Sequence, residues 1–249
     1  MFQTILKASS EAIRLFCIPH AGAGPSAFRG WVSDLAPEIE AVLVELPGRE
    51  GRFSDPAYVD MELLVRDFTD AVLPYVDDVQ EFAFFGNSMG GLVSFEVLQA
   101  IKAQTGQEAT HLFVSATGAP QLPCPLPPVA SLSDCKLIQE ICRRYDGIPA
   151  EILADQEFLA AVLGTIRADM RVVESYVRTG IRPLGCSITA FAGERDRTVS
   201  IGEVEQWKDQ TSAAFSMVLL DEDHLYLQSA RKQLVETIRD TLLNANCVR

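Results

Sequence analysis

The stretch that most constrains this chain is Glu81-Phe82-Ala83-Phe84-Phe85-Gly86-Asn87-Ser88-Met89-Gly90-Gly91-Leu92-Val93-Ser94-Phe95. It opens with an unbroken apolar run, rich in aromatics, of the kind that forms a strand buried on both faces. It closes with Leu92, Val93, Val97 and Ile101 at helical spacing. Between the two lies Gly-x-Ser-x-Gly. A strand that turns into a helix through such a pentapeptide lifts the serine hydroxyl clear of the sheet. Strand and helix backbones nearly touch around that turn, so glycine is needed on either side of the serine. The strain persists only where neighbours fix it. The helix also aims its N-terminus at the serine, where developing negative charge is favoured. Five common residues can match by chance, but the flanking strand and helix make Ser88 a candidate nucleophile.

The rest of the chain fits around that stretch. Ile13 to Ile18 reads as a strand running into the small-residue loop Pro19-His20-Ala21-Gly22-Ala23-Gly24. Residues up to about Ser10 read as a loose lead-in. Phe28, Trp31, Val32 and Leu35 have helical spacing, a strand follows over Ala41 to Leu46, and Pro47-Gly48-Arg49-Glu50 ends it. A helix from Met61 to about Leu73 precedes the serine stretch, whose own helix runs to about Gln104, and His111 to Ala116 is again a strand. Such alternation argues for a mostly parallel sheet covered by helices on both faces, an α/β fold.

From Pro120 to about Thr179 no strand is predicted. Pro123, Pro125, Pro127 and Pro128 mark an extended approach, and the longest of two or three helices places Phe158, Val162, Ile166, Met170, Val173 and Val177 on one face. Alternation resumes with a strand over Ser187 to Phe191, a helix near Val204 to Trp207, a strand over Phe215 to Leu220 and a helix from Tyr226 to about Leu243. The organisation expected is thus a core over 1–119, a helical lid insertion over 120–179, and the rest of the core over 180–249.

Composition sets further bounds. The chain has 249 residues, 21 basic against 34 acidic, and a formal net charge of −13. That argues against nucleic acid or an anionic membrane as a partner. Six cysteines, Cys17, Cys124, Cys135, Cys142, Cys186 and Cys247, form no Cys-x-x-Cys pair and no cluster with histidine, so no metal site is expected. No stretch suits a signal peptide or a membrane span, and the expectation is a reduced, cytoplasmic protein.

A serine nucleophile needs a base, and the base needs an orienting group. Among His20, His111 and His224, only His224 follows the last predicted strand, where the order serine, acid, histidine puts it. The acid must come from a loop at the carboxyl end of an intervening strand. Ser115-Ala116-Thr117-Gly118 offers no carboxylate, whereas Gly193-Glu194-Arg195-Asp196 offers two, of which Asp196 is the better placed to turn back on the histidine. Asp221 and Asp223 stand too near His224 in sequence to reach its far ring nitrogen and read as solvated. The backbone N–H groups of Met89 and Ala21 are the candidate oxyanion donors.

These pieces resemble the type II thioesterases, the stand-alone α/β-hydrolases that serve polyketide and nonribosomal peptide synthases. The resemblance rests on Pro19-His20-Ala21-Gly22-Ala23-Gly24, Leu46-Pro47-Gly48-Arg49-Glu50, Gly86-Asn87-Ser88-Met89-Gly90-Gly91, Arg167-Ala168-Asp169-Met170 with Glu174 and Tyr176, Gly193-Glu194-Arg195-Asp196 and Asp223-His224. The elbow is common to all lipases and esterases, while Leu-Pro-Gly-Arg-Glu and the lid signature are more specific. The resemblance implies an α/β-hydrolase fold and cytoplasmic hydrolysis of acyl thioesters on the phosphopantetheine arm of acyl or peptidyl carrier proteins. It further implies a Ser88–His224–Asp196 triad, a role in antibiotic-type biosynthesis, small acyl thioesters as further substrates, no cofactor and a monomer. The alternatives are a carboxylesterase or lipase on small esters and a catalytically inactive binding subunit. The family carries histidine where this chain has Asn87. That position lies outside the triad, so the exchange bears on packing and hydrogen bonding beside Ser88. Arg49 and Glu50 read as an ion pair or loop anchor, and Asp169 and Glu174 as helix-surface or lid-fixing residues rather than catalysts. Arg143, Arg144, Arg167, Arg171 and Arg178 are candidate charges for docking an acidic carrier.

Overall fold

A computed structural model describes residues 2–4, 12–124, 126–145, 154–177 and 183–245. Its strands are β1 (Phe2–Thr4), β2 (Ile13–Ile18), β3 (Ile39–Val44), β4 (Phe82–Asn87), β5 (His111–Ser115), β6 (Ser187–Gly193) and β7 (Phe215–Leu220). They form one sheet in the order β1-β3-β2-β4-β5-β6-β7. All neighbours run parallel except β1, which pairs antiparallel with β3 through Phe2↔Val44. Residues 2–4 are therefore an edge strand, where the sequence suggested only a loose lead-in. Three residues are too few to display a period of two.

Alternate residues of the same strands feed two cores. Phe16, Val42, Phe84, Leu112 and Ile188 face one way, against α2 (Met61–Val76) and α3 (Met89–Thr105). Leu15, Leu43, Phe85, Phe113 and Phe191 face the other, against α1 (Trp31–Leu35) and α7 (Arg231–Ala245). This double burial explains why the strands read as continuous apolar runs. Each buried Phe or Leu side chain contributes roughly 1.5–3 kcal/mol.

Between β5 and β6 lie α4 (Asp134–Tyr145) and α5 (Gln156–Glu174), which share a third cluster of Leu137, Ile141, Leu163, Ile166 and Met170 with Val129. Val177, expected on the long helix, lies beyond its end and is 78% exposed. The Phe158 side chain, Pro125, Arg178 and Cys247 fall outside the described residues. The short helix α6 (Ile201–Glu205) starts at Ser200, whose side chain and that of Glu203 cap each other's backbone, and passes into a 3₁₀ turn. The last helix begins at Arg231, not Tyr226, and Tyr226 is buried with its hydroxyl bonded to Ser115 of β5 and Phe191 of β6. Among the described residues no helix is long and apolar enough to cross a membrane, no cluster could hold a metal ion, and Cys17, Cys124, Cys135, Cys142 and Cys186 are free thiols.

Candidate active site

Ser88 joins β4 to α3 with φ +52° and ψ −115°, a conformation costly for any residue with a side chain. Neighbours hold it there. Its N–H donates to the Ser115 carbonyl at 2.7 Å, and its carbonyl accepts from Gly91 N–H at 2.9 Å. A Cβ on Gly86 would strike the Gly90 carbonyl, and one on Gly90 would strike the Ile18 carbonyl. The glycines on both sides of Ser88 are thus fixed by close backbone approach.

The ends of β4 and β6 and the loop after β7 bring three side chains together. His224 Nε2 lies 3.2 Å from Ser88 Oγ, and His224 Nδ1 lies 2.7 Å from Asp196 Oδ2. Asp196 Oδ1 accepts from the Thr198 amide at 2.7 Å, the Thr198 hydroxyl at 2.7 Å and the Val199 amide at 3.2 Å. Burial works against ionisation of Asp196, but hydrogen bonding and charge from His224, with the bonds from Thr198, outweigh it and hold the carboxyl below its usual range. Glu194, the other carboxylate of that loop, is exposed. Asp221 and Asp223 sit at the surface beside Arg195. Thr198, whose hydroxyl lies 2.8 Å from His224 Nδ1, escaped sequence reasoning. Its spacing two residues after Asp196 becomes a signal only once that aspartate is chosen.

The Ala21 and Met89 backbones border the same cavity as Ser88 and His224. Among the described residues, no hydrogen bond occupies either amide. The next amide along the loop, Gly22 N–H, donates to Asp169 Oδ2 at 2.7 Å. Asp169 in turn takes a bidentate pair from Arg49, both contacts at 2.8 Å, and Arg49 also donates to the Ala23 carbonyl at 3.0 Å. Arg49 therefore anchors the loop through α5 and does not pair with Glu50. Glu50 instead accepts from the Ser26 hydroxyl at 2.7 Å. His20 lines the cavity as well. Burial and the nearby His224 push it down to about 4, so it is neutral at pH 7.

The sequence model of the thioesterase domain matches residues 13–242. This chain belongs to the thioesterase family. The gramicidin S biosynthesis protein GrsT of Aneurinibacillus migulanus is 37% identical to this thioesterase over 92% of the chain and 88% of its own length. Thioesterase PikA5 of Streptomyces venezuelae is 34% identical over 95% of the chain and 83% of its own. The structure of RedJ, a thioesterase from the prodiginine biosynthetic pathway in Streptomyces coelicolor, superposes with a TM-score of 0.87 at 31% identity, covering 96% of this chain and 94% of that one. The chain is a hydrolase of thioesters with the α/β-hydrolase fold of those relatives.

Two cavities of this thioesterase meet at Ser88 and His224. The larger, about 200 Å³, is roofed by Ile141, Val162, Ile166, Met170 and Val173 of the helical insertion. The smaller, about 100 Å³, runs past Thr117, Pro120, Leu122, Tyr176 and Thr198. Tyr145 borders both, its ring 4.9 Å from the His224 ring. Two of the arginines suggested for docking are occupied in fixing the insertion. Arg144 is buried and bonded to Glu140 and the Pro127 carbonyl, and Arg167 donates to the Ala130 and Leu132 carbonyls. Glu174 accepts from the Val129 amide at 2.5 Å. Arg143 and Arg171 are exposed.

Proposed function

We propose that this thioesterase removes acyl groups from the pantetheine arm of carrier proteins in peptide or polyketide assembly, with Ser88, His224 and Asp196 as its triad. The observation that carries the proposal is the bridging position of His224, 3.2 Å from Ser88 Oγ and 2.7 Å from Asp196 Oδ2, at the junction of two cavities. Ser88 Oγ attacks the thioester carbonyl carbon while His224 Nε2 takes its proton. The negative oxygen is held by the N–H groups of Met89 and Ala21, each such donor contributing about 3 kcal/mol to the transition state. The C–S bond breaks and the sulfur leaves with the proton from His224. Water then attacks the acyl ester, giving a proton to His224, which returns it to Ser88 Oγ as the free acid departs. Asp196 keeps His224 in the tautomer that accepts at Nε2 and stabilises the imidazolium. Every proton and electron pair is accounted for by these groups and water, so the scheme calls for no cofactor.

The apolar lining of the larger cavity suits the acyl chain, and the smaller, more polar one suits the thiol end of the arm. The helical insertion serves as the lid over both. The biosyntheses named for GrsT and RedJ support a synthase-borne carrier as the partner. The site is completed within one chain, in keeping with a monomer. The experiment is mass spectrometry of acyl-loaded carrier proteins with wild type and Ser88→Ala, beside a nitrophenyl ester control. Deacylation by wild type alone, favoured over the simple ester, is expected. Equal turnover by Ser88→Ala overturns the triad, and a preference for the simple ester overturns the carrier.

A further inference from the structure

Asn87, the residue before the nucleophile, has no exposed surface. Its Nδ2 donates to Ser115 Oγ at 3.1 Å, Ser115 Oγ donates to the Tyr226 hydroxyl at 2.9 Å, and that hydroxyl donates to the Phe191 carbonyl at 3.0 Å. Each hydroxyl accepts once and donates once, so the bonds run in one direction and polarise one another. All four residues are fully buried, and burial holds the Tyr226 phenol in its protonated form.

The line crosses the parts of the fold that carry the catalytic groups. Asn87, Ser115 and Phe191 are register partners on β4, β5 and β6, so the bonds traverse three adjacent strands. Asn87 precedes Ser88, Tyr226 follows His224 by two residues, and Phe191 lies five before Asp196. Two strained residues flank the line, Ser88 with φ +52° and Ala116 with φ +51°. Both are pinned from it, Ser88 N–H by the Ser115 carbonyl at 2.7 Å and Ala116 N–H by the Phe191 carbonyl at 3.1 Å. Such strain survives only where the surroundings over-determine the backbone. At the open end, Asn87 Oδ1 and His20 Nδ1 are both buried without a partner in hydrogen-bond geometry. They stand close enough for Asn87 to oppose the fall of the His20 pKa. The amide side chain therefore also faces the loop that carries Ala21.

We propose that Asn87, Ser115 and Tyr226 are positioning residues: their hydrogen bonds set the spacing of Ser88 and His224 against the strand that delivers Asp196. The inference rests on the triad reading above. Removing the Tyr226 hydroxyl opens no cavity of consequence but breaks two bonds of the line. Misplacement of reacting groups by a fraction of an ångström to one ångström costs roughly tenfold to a hundredfold in rate.

The experiment compares Tyr226→Phe, Ser115→Ala, their combination and Ser115→Thr with wild type and Ser88→Ala on a small acyl thioester. Expected are a drop in kcat of about tenfold or more in each single variant with KM unchanged. The double variant should fall no further than the worse single one, because members of one unit are not additive. Ser115→Thr, which keeps the hydroxyl, should restore most of the rate. Wild-type kcat in Tyr226→Phe, losses carried by KM alone, or losses that multiply in the double variant overturn the proposal. Should Ser115→Ala fail to fold, Tyr226→Phe decides alone. An active Ser88→Ala would instead overturn the triad, so the two failures are told apart.

Discussion

Arg49 and Asp169, 120 residues apart, form a buried bidentate ion pair that ties the loop after β3 to helix α5 of the insertion. Asp169 also holds the Gly22 amide, one residue beyond the candidate oxyanion donor Ala21. Removing one partner of such a pair strands a charge in low dielectric, at a cost of about 3–5 kcal/mol. Asp169→Asn should therefore lower stability by about that amount in urea unfolding. Its kcat should fall as well, since the loop is left less well held. Unaltered stability would mean that Arg49 finds another partner.

Asp196→Asn is expected to lower kcat by about 10⁴, because an amide favours the wrong His224 tautomer. Glu194→Gln, at an exposed position of the same turn, should stay within about twofold of wild type, as surface substitutions usually do. Rates of labelling by a serine-directed fluorophosphonate should follow the same order. The reverse pattern would move the acid by two residues.

Val162 lines the larger cavity from α5. Val162→Trp should reduce kcat/KM for long acyl groups by tenfold or more while sparing acetyl, since an overfilled site rejects by sterics. A uniform loss across chain lengths would place the acyl group elsewhere.

Stability should also depend on the buried His111 and the half-buried His20. Burial pushes His111, which bonds to Thr189 at 2.8 Å, from 6.5 to about 4, and His20 falls to a similar value. Between those values the unfolded chain binds protons that the folded chain does not, so stability rises with pH across the window. It is fully present above pH 6.5 and declines as pH falls toward about 4. Urea midpoints measured from pH 7.5 to 4.5 should show this, and His111→Gln should flatten the curve in that range. An unchanged slope would mean that His111 titrates freely.

Much of this was legible before any coordinates. The strands read clearly because burial on both faces makes them continuously apolar, and Ser88, Asp196 and His224 followed from chain order and loop position. The positions found only in the structure share a physical cause. Arg49 takes Asp169 rather than the adjacent Glu50 because the chain folds α5 onto its loop, a contact that spacing does not encode. Arg144 and Arg167 look like surface charge in sequence, yet they hold carbonyls inside the insertion. The last helix starts later than periodicity suggests because Tyr226 is buried against β5 and β6 rather than along a helix face.

The two cavities at Ser88 have a consequence for the order of events. In the reaction proposed above, the departing thiol vacates the smaller cavity while acyl-Ser88 stays seated in the larger one. Water and a returning thiol then compete for the same opening of about 100 Å³. Whichever fills it first decides whether the acyl group is lost as acid or handed back. On that scheme the fate of each acyl group turns on how quickly the arm withdraws from the smaller cavity, and not on the first attack alone.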